Sequence, residues 1–494
     1  MAAGERTLLR RLCVFAGRFT LEDVEAVCTS DDVPAAHALD ALASLVDKSL
    51  VMKEDAKGVA CYRLHETMRE YTRLKVQAAG EEDLVERRCA EYYRLRCQRS
   101  GADARYGLLE WLEWMDLEID NVRSVLRRCL IHADCPRGVD LASSLGWYWI
   151  TRATTEGVRW LDELLASGGG HPKAHASAYF IRGFLAVLQP DPTAARPALE
   201  RAVAAAREAG QLRLLSQSLA MASIAENMAG DRASARRWLT EAQGITTGLD
   251  DLPATLMLLQ ARALHGLFEG DLDAVRSASS EGARLSREAG DLYSLEMMLI
   301  NLGGAALIAG DLDASKPLYT ESLRIAHQID DRVAQFYVLG GLGCHGARSG
   351  QARLAAQLLG ATEAVRTGAG ASVTVLAPLL AQAEESAIAA LGASRFEAEF
   401  KTGKQLSRGT AIGLALGEPA HLAAAASDGA GTGPLGKREA DVARLVADGL
   451  SNKQIGARLF ISERTVESHV RSILNKLGFS SRAQIAGWMV SSTL

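Results

Sequence analysis

Residues 451–477 read SNKQIGARLFISERTVESHVRSILNKL. Ser451 or Asn452 can cap a helix that runs to Leu459, with Ile455 and Leu459 four apart on one face. Phe460 and Ile461 fill a turn, and Ser462 caps a second helix over 463–477. That helix carries Thr465, Val466, Val470, Ile473 and Leu477 as a one-sided stripe, and Gly478 ends it. Two helices joined by three or four residues form a helix-turn-helix. The pattern extends outward on both sides. Upstream, Ala440, Ala443, Leu445, Val446 and Ala447 fall at helical spacing between Lys437 and the stop at Gly449. Downstream, a fourth helix is expected from Ser481 to Met489.

The polar face of the 463–477 helix determines what such a unit can do. In a helix-turn-helix the second member enters the major groove. An Arg there donates to guanine edges, Glu accepts from cytosine N4, and Ser or Thr serves either base type. Glu467, Ser468 and Arg471, with Thr465 and Asn475 or Lys476, are therefore the candidates on the exposed face. Lys453, Arg458, Arg464, Thr465, Lys476 and Arg482 suit the phosphate backbone. From Gly436 onward there are nine Lys or Arg against five Asp or Glu, a net +4, whereas the whole chain is −5. The basic excess is local. The alternative is an ordinary helical fragment with a solvated charged face.

The run PLGKREADVARLVADGLSNKQIGARLFISERTVESHVRSILNKLGFSSRAQIAGWM resembles the C-terminal DNA-binding domain of LuxR-family bacterial regulators over about 55 residues. The resemblance implies that Glu439 supports the first helix, that Val466 and Val470 pack inward, and that Glu467, Ser468 and Arg471 are the base-facing set. It also implies that the fourth helix makes a homodimer on DNA, through Ile485, Trp488 and Met489. Gly436 stands where the family usually has Thr as N-cap. Gly is a weaker cap, although Glu439 lies three residues on, in capping-box position.

Length and composition bound the rest. The chain has 494 residues, 48% of them apolar and only 5% aromatic, with Ala-rich blocks. This favours packed helices and allows several domains. Eight scattered cysteines with no CxxC pair suggest neither a zinc site nor a disulfide framework. No apolar run of 18 residues is free of charge, and no secretory signal is expected at the N-terminus, so the expectation is a cytoplasmic protein, at the nucleoid when on DNA, with no membrane partner.

Residues 1–75 are expected to form a winged-helix-like spacer. Leu8, Leu9, Leu12, Cys13 and Phe15 suggest one helix. Thr20 with Asp23 suggests a capped second. Leu39, Leu42, Leu45 and Val46 suggest a third, and SLVMK and VACYRL a hairpin about Lys57-Gly58. The acidic second helix speaks against DNA contact. LLRRLCVFAGRFTLEDVEAVC and YRLHETMREYTRLKV resemble the segment after the nucleotide-binding core of large LuxR-type ATPase regulators of the STAND class. The resemblance implies a core before residue 1, and the expectation is a regulator that lacks it. Gly431–Lys437 matches GxxxxGK, but Arg438 replaces the hydroxyl that should bind magnesium, and no strand precedes it.

Residues 81–170 suggest a helical linker with Trp111, Trp114, Trp147, Trp149 and Trp160 more suited to a core than to a pocket. Over 171–367, Gly230, Gly270, Gly310 and Gly350 recur every 40 residues, the first three followed by Asp. Gly turns the chain after one helix and Asp caps the next. Ala235, Ala274 and Ala314 are the expected close-packing positions. The unit resembles a tetratricopeptide repeat with a longer period, implying a solenoid whose face binds a protein, peptide or small effector. Residues 368–434 suggest a helical and flexible linker, and 435–494 the DNA-binding domain. The fold class expected is thus mainly α: winged-helix segment, tetratricopeptide-like α-solenoid and four-helix LuxR-type helix-turn-helix domain. With no catalytic or metal cluster and no cofactor motif, the function expected is sequence-specific transcription regulation on double-stranded DNA, without enzymatic activity. The alternative is a repeat-based interaction scaffold with a vestigial DNA-binding domain.

Overall fold

A computed structural model describes residues 1–56, 58–167, 172–369, 376–418, 437–459, 463–477, 479 and 482–493, apart from a few side chains among them. The chain divides into two compact units, Met1–Tyr148 with Trp160–Ala174, and Trp149–Arg159 with His175–Leu494.

The first unit opens with α1 (Ala3–Arg11), α2 (Leu21–Cys28) and α3 (Ala38–Asp47). Leu8, Leu12, Val24, Leu42 and Leu45 are fully buried among them. Thr20 and Asp23 close a reciprocal capping box. The Asp23 amide donates to Thr20 Oγ1 at 3.3 Å and the Thr20 amide to Asp23 Oδ2 at 2.6 Å. A hairpin follows, β1 (Met52–Ala56) antiparallel to β2 (Val59–Arg63), with Met52 opposite Arg63. Gly58 takes φ +80° in its turn, while Lys57 lies outside the described residues. Two details differ from expectation. The first helix ends at Arg11, and Leu12–Val14 is a tighter 3₁₀ turn. Leu39 is 51% exposed, because the helix begins at Ala38 and its inward stripe is Ala38, Leu42 and Leu45.

Longer helices follow: α4 (Glu66–Ala78), α5 (Glu82–Asp103), α6 (Leu108–Ile131) and α7 (Cys135–Ser144). The acidic second helix turns part of its charge inward. Asp23, fully buried, accepts from Tyr92 Oη at 2.7 Å and from Arg96 at 2.6 Å. Glu118 on α6 accepts from Tyr93 Oη at 2.8 Å and Asn121 at 3.2 Å. Burial, with Asp23 nearby, pushes the Glu118 carboxyl up to about 7. Trp111 and Trp160 are buried here, and Arg96 lies over the Trp114 ring. Trp149 is buried as well, so three of the five tryptophans are core, while Trp114 and Trp147 are half-buried.

After α8 (Gly146–Thr151) and α9 (Thr154–Ala166), the chain becomes a run of helix pairs. These are α10 (Pro172–Leu188) with α11 (Pro192–Glu208), α12 (Leu212–Ala229) with α13 (Arg232–Thr246), and α14 (Leu252–Glu269) with α15 (Leu272–Ala289). Then come α16 (Leu292–Ala309) with α17 (Leu312–Gln328), and α18 (Arg332–Arg348) with α19 (Ala352–Ala369). The body is an α-solenoid in which successive helices pack side by side. Its punctuation is the 40-residue repeat. Asp191, Asp231, Asp271 and Asp311 each accept the amide of the residue three on at 3.0 Å, capping the second helix of a pair. Asp251, Asp291 and Asp331 do the same for the first helix, which the sequence analysis missed.

The fully buried register lies one residue on from two of the three alanines expected, although Ala274 does lie close against Gly266 of the preceding helix. Ala274 and Ala314 are the residues whose amides are capped. The fully buried position is Ala195, Ala235, Val275, Ser315 and Ala355, spaced at 40. Of the three alanines named, only Ala235 occupies it. Tyr319, 1% exposed, lies across Gly303 and Gly341 on successive first helices, where a larger residue would meet its ring.

The segment expected to be a linker is partly built into this body. Helices α20 (Ala377–Leu391), α21 (Ala393–Gln405) and α22 (Arg408–Leu416) bring Ala383, Ala387, Phe396 and Ile412 into one core with Leu307, Tyr319 and Leu339. Helix α21 lies backbone to backbone against α19 through Gly403 and Gly360. The stretch 419–436 lies outside the described residues, including the Gly431–Gly436 part of the GxxxxGK run. Among the described residues one helix, α16, is long and apolar enough to cross a membrane, but 56% of it is buried inside the solenoid, where it serves as a core helix.

Candidate nucleic-acid interface

The C-terminal residues form α23 (Lys437–Ala447), α24 (Asn452–Leu459), α25 (Glu463–Leu477) and α26 (Arg482–Thr493). Val442, Ala443, Val446, Ile455, Val466, Ile473 and Ile485 make their common core, with Val470, Leu477, Trp488 and Met489 half-buried against it. Gly449, at φ +78°, stops α23. Ser451, not Asn452, caps α24. The Gln454 amide donates to Ser451 Oγ at 3.3 Å and the Ser451 amide to Gln454 Oε1 at 2.8 Å. Residues 460–462, which join α24 to α25, lie outside the described residues, as do Gly478 and Ser481. The fourth helix runs to Thr493, past the expected end at Met489.

Three hydrogen bonds fix the arrangement. Ser472 Oγ on α25 donates to Glu439 Oε1 on α23 at 2.6 Å. Arg482 at the head of α26 donates to Asn452 Oδ1 at 2.5 Å and to the Leu450 carbonyl, joining α26 to the start of α24. Burial lowers the Arg482 guanidinium from its ordinary value. Sequence reasoning missed Ser472, and it offered Asn452 only as a cap and not as the partner of Arg482. Ser472 lies beside the buried Ile473 rather than in the stripe, and only the four-residue offset from Ser468 hinted at a face.

Of the expected base-facing residues, Glu467 and Arg471 are exposed one turn apart on α25, and the Ser468 side chain lies outside the described set. Lys453 and Arg458 are exposed on α24, Thr465 is half-buried, and the Arg464 and Lys476 side chains are likewise outside the described set. Arg482 is engaged within the domain rather than free toward a phosphate. Ile485 is fully buried, so it closes the domain core and has no surface to offer a second copy; Trp488 and Met489 keep part of theirs. Gly436 is outside the described residues, and Glu439 reaches the recognition helix. In the first unit, α3 is the helix that a winged domain would lay on DNA. It offers Asp40 and Asp47 and no Lys or Arg. Among the described residues, no group of three or more His, Cys, Asp or Glu is placed to hold a metal ion.

This is a four-helix unit built on a helix-turn-helix pair, with a charged recognition helix resting on an apolar core. Residues 433–489 match the bacterial regulatory proteins of the luxR family, and residues 1–77 match a winged helix-turn-helix domain. The C-terminal unit is a luxR-family DNA-binding domain. A protein of Mycobacterium bovis named as an HTH-type transcriptional regulator is 30% identical over 299 residues, 58% of this chain and 34% of that protein. The nitrate/nitrite response regulator protein homolog of Haemophilus influenzae is 58% identical over 48 residues, 10% of this chain and 23% of that protein. This chain spans about a third of the length of the longer relative. Among solved structures, a signal transduction ATPase with numerous domains and a tetratricopeptide repeat sensor, from Pyrococcus horikoshii, aligns at a TM-score of 0.42 and 13% identity. The alignment covers 87% of this chain and 62% of that one.

Proposed function

We propose that this chain is a sequence-specific, non-enzymatic transcription regulator that reads double-stranded DNA through α25. The observation that carries this reading is the division of that helix. Val466 and Ile473 are fully buried, while Glu467 and Arg471 stand exposed on the opposite side. Glu467, Ser468 and Arg471 face base edges. Lys453, Arg458, Arg464, Thr465 and Lys476 hold the phosphates that set register. Arg482 contributes by fastening α26 to α24. A domain with a net charge of +4 gains limited affinity from phosphates alone. Two copies on a pseudo-palindromic site double that contribution, and the partly exposed Trp488 and Met489 on α26 are the contact between them. The solenoid takes a protein, peptide or small effector that controls binding, and the protein works in the cytoplasm, at the nucleoid when on DNA. Selection of bound sequences from a random DNA pool, using the full chain, tests the central claim. A recurrent half-site is expected; recovery of unenriched sequence would overturn it.

A further inference from the structure

We infer that the half-site read by this protein contains a C·G pair whose cytosine N4 amino group is recognised by Glu467, within two base steps of a guanine held by Arg471. The inference rests on the reading of α25 as the recognition helix and goes beyond it to the bases. Glu467 and Arg471 are four residues apart with Glu first, the spacing and order that favour an ion pair along a helix. Acid-first pairs close elsewhere in this chain at the neighbouring three-residue spacing: Glu281 with Arg284, Glu363 with Arg366, and Asp441 with Arg444 on α23. Glu467 and Arg471 form no such pair, and both side chains are exposed. They are two separate probes, one an acceptor only and the other a donor only.

The carboxylate is the informative one. The surrounding exposed charges of the domain include Lys453 and Arg458, suited to a polyanion. A carboxylate on the same interface is repelled by every phosphate it approaches. Among major-groove edges, cytosine offers an N4 donor with no adjacent acceptor on the same base, whereas guanine offers acceptors only and thymine an acceptor and a methyl. Adenine N6 is also a donor, but its N7 acceptor lies beside it and repels a carboxylate. Glu467 therefore favours cytosine. Arg471 matches guanine O6 and N7 with two parallel donors. Four residues of helix rise span about 6 Å, against about 3.4 Å per base step, which sets the separation of the two contacted pairs.

The experiment is pool selection with the full-length wild-type chain and with Glu467→Ala and Glu467→Gln, followed by titration of the recovered half-site and its single-base variants at fixed salt. Wild type is expected to enrich a C·G pair within two steps of a G·C pair. Replacing that C·G should weaken wild type by about 5- to 150-fold. The same replacement should change binding of Glu467→Ala little, and Glu467→Gln should move the preference toward A·T, since Gln pairs with adenine N6 and N7. If wild type selects a clear half-site and Glu467→Ala selects the same base at every position, the assignment of Glu467 is overturned while the regulator reading stands. If wild type selects no half-site, both fail.

Discussion

Ser472 Oγ donates to Glu439 Oε1 at 2.6 Å, joining two residues 33 apart in sequence and the recognition helix to the first helix of its domain. Glu439 is buried, so the bond forms away from competing water and fixes the rotation of α25 on α23. Hydrogen bonds to charged groups contribute about 1.5–3 kcal/mol. Ser472→Ala should therefore lower the melting temperature of the C-terminal domain, followed by circular dichroism. Affinity should fall by similar factors on a selected site and on random DNA, because no base contact is removed. A loss confined to the selected site would show that Ser472 touches bases instead.

Lys453 and Arg458 should separate from Arg482 by salt dependence. Each phosphate contact released lowers the slope of log affinity against log salt by about 0.9. Lys453→Ala and Arg458→Ala should each flatten the slope by about that much with the domain fully folded. Arg482→Ala removes the donor to Leu450 and Asn452, so it should destabilise the domain and leave the slope unchanged. A flattened slope in a stable Arg482→Ala protein would restore it to the phosphate set.

The sequence made the C-terminal helices legible because their signals are local: a stop at Gly449, a cap at Ser451, and a stripe through Val466 and Ile473. The repeat period was legible for the same reason, since Gly and Asp punctuation survives where packing residues vary. The packing register was not. Ala, Val, Ser and Ala fill the equivalent positions 235, 275, 315 and 355, so neither size nor polarity repeats there. The placement of α20–α22 was hidden too. Their Ala-rich sequence lacks the Gly-Asp pair, and their attachment depends on the distant Gly360. At the DNA interface, Ile485 was misplaced because a short apolar strip on a terminal helix reads alike whether it closes its own core or meets another copy.

Gly403→Ala tests the attachment of α20–α22. A Cβ at Gly403 would strike the Gln357 carbonyl, a backbone atom that moves only with its helix. Overpacking of this kind costs about 1–3 kcal/mol or more. Hydrogen exchange should rise across 377–416 in the variant while the helices from 212 to 309 keep their protection. Unchanged exchange across 377–416 would show that the crossing can widen without loss.

Glu296 gives the solenoid an unusual pH response. It is fully buried on α16, where the equivalent positions of neighbouring repeats hold the buried Ser216, Leu256 and Phe336. Its carboxyl lies beside that of Asp331, the cap of α18, with Asp291 and Asp330 adding like charge nearby. Burial first, then Asp331, raises Glu296 well above the ordinary carboxylate range, and burial raises Asp331 to about 6. The folded state thus holds these protons more tightly than the unfolded chain does. The stabilisation from Asp331 is complete below its unfolded value near 3.8 and is lost as pH rises through about 6; that from Glu296 is lost at higher pH. Glu81 acts in the opposite sense. Arg10 and Arg11 lower it to about 2, so its contribution holds above 4.5 and fades only in strong acid. Between pH 7.5 and 5.5, acidification should therefore raise the melting temperature of the solenoid. Glu296→Leu places the residue of the preceding repeat at this site and removes a buried polar group, worth about 1–3 kcal/mol. The variant should melt higher at pH 7.5 and gain less on acidification, because the proton that Glu296 holds only in the folded state is no longer there to be taken up. Calorimetry of both proteins at the two pH values measures this, and an equal gain in each would remove Glu296 from the account.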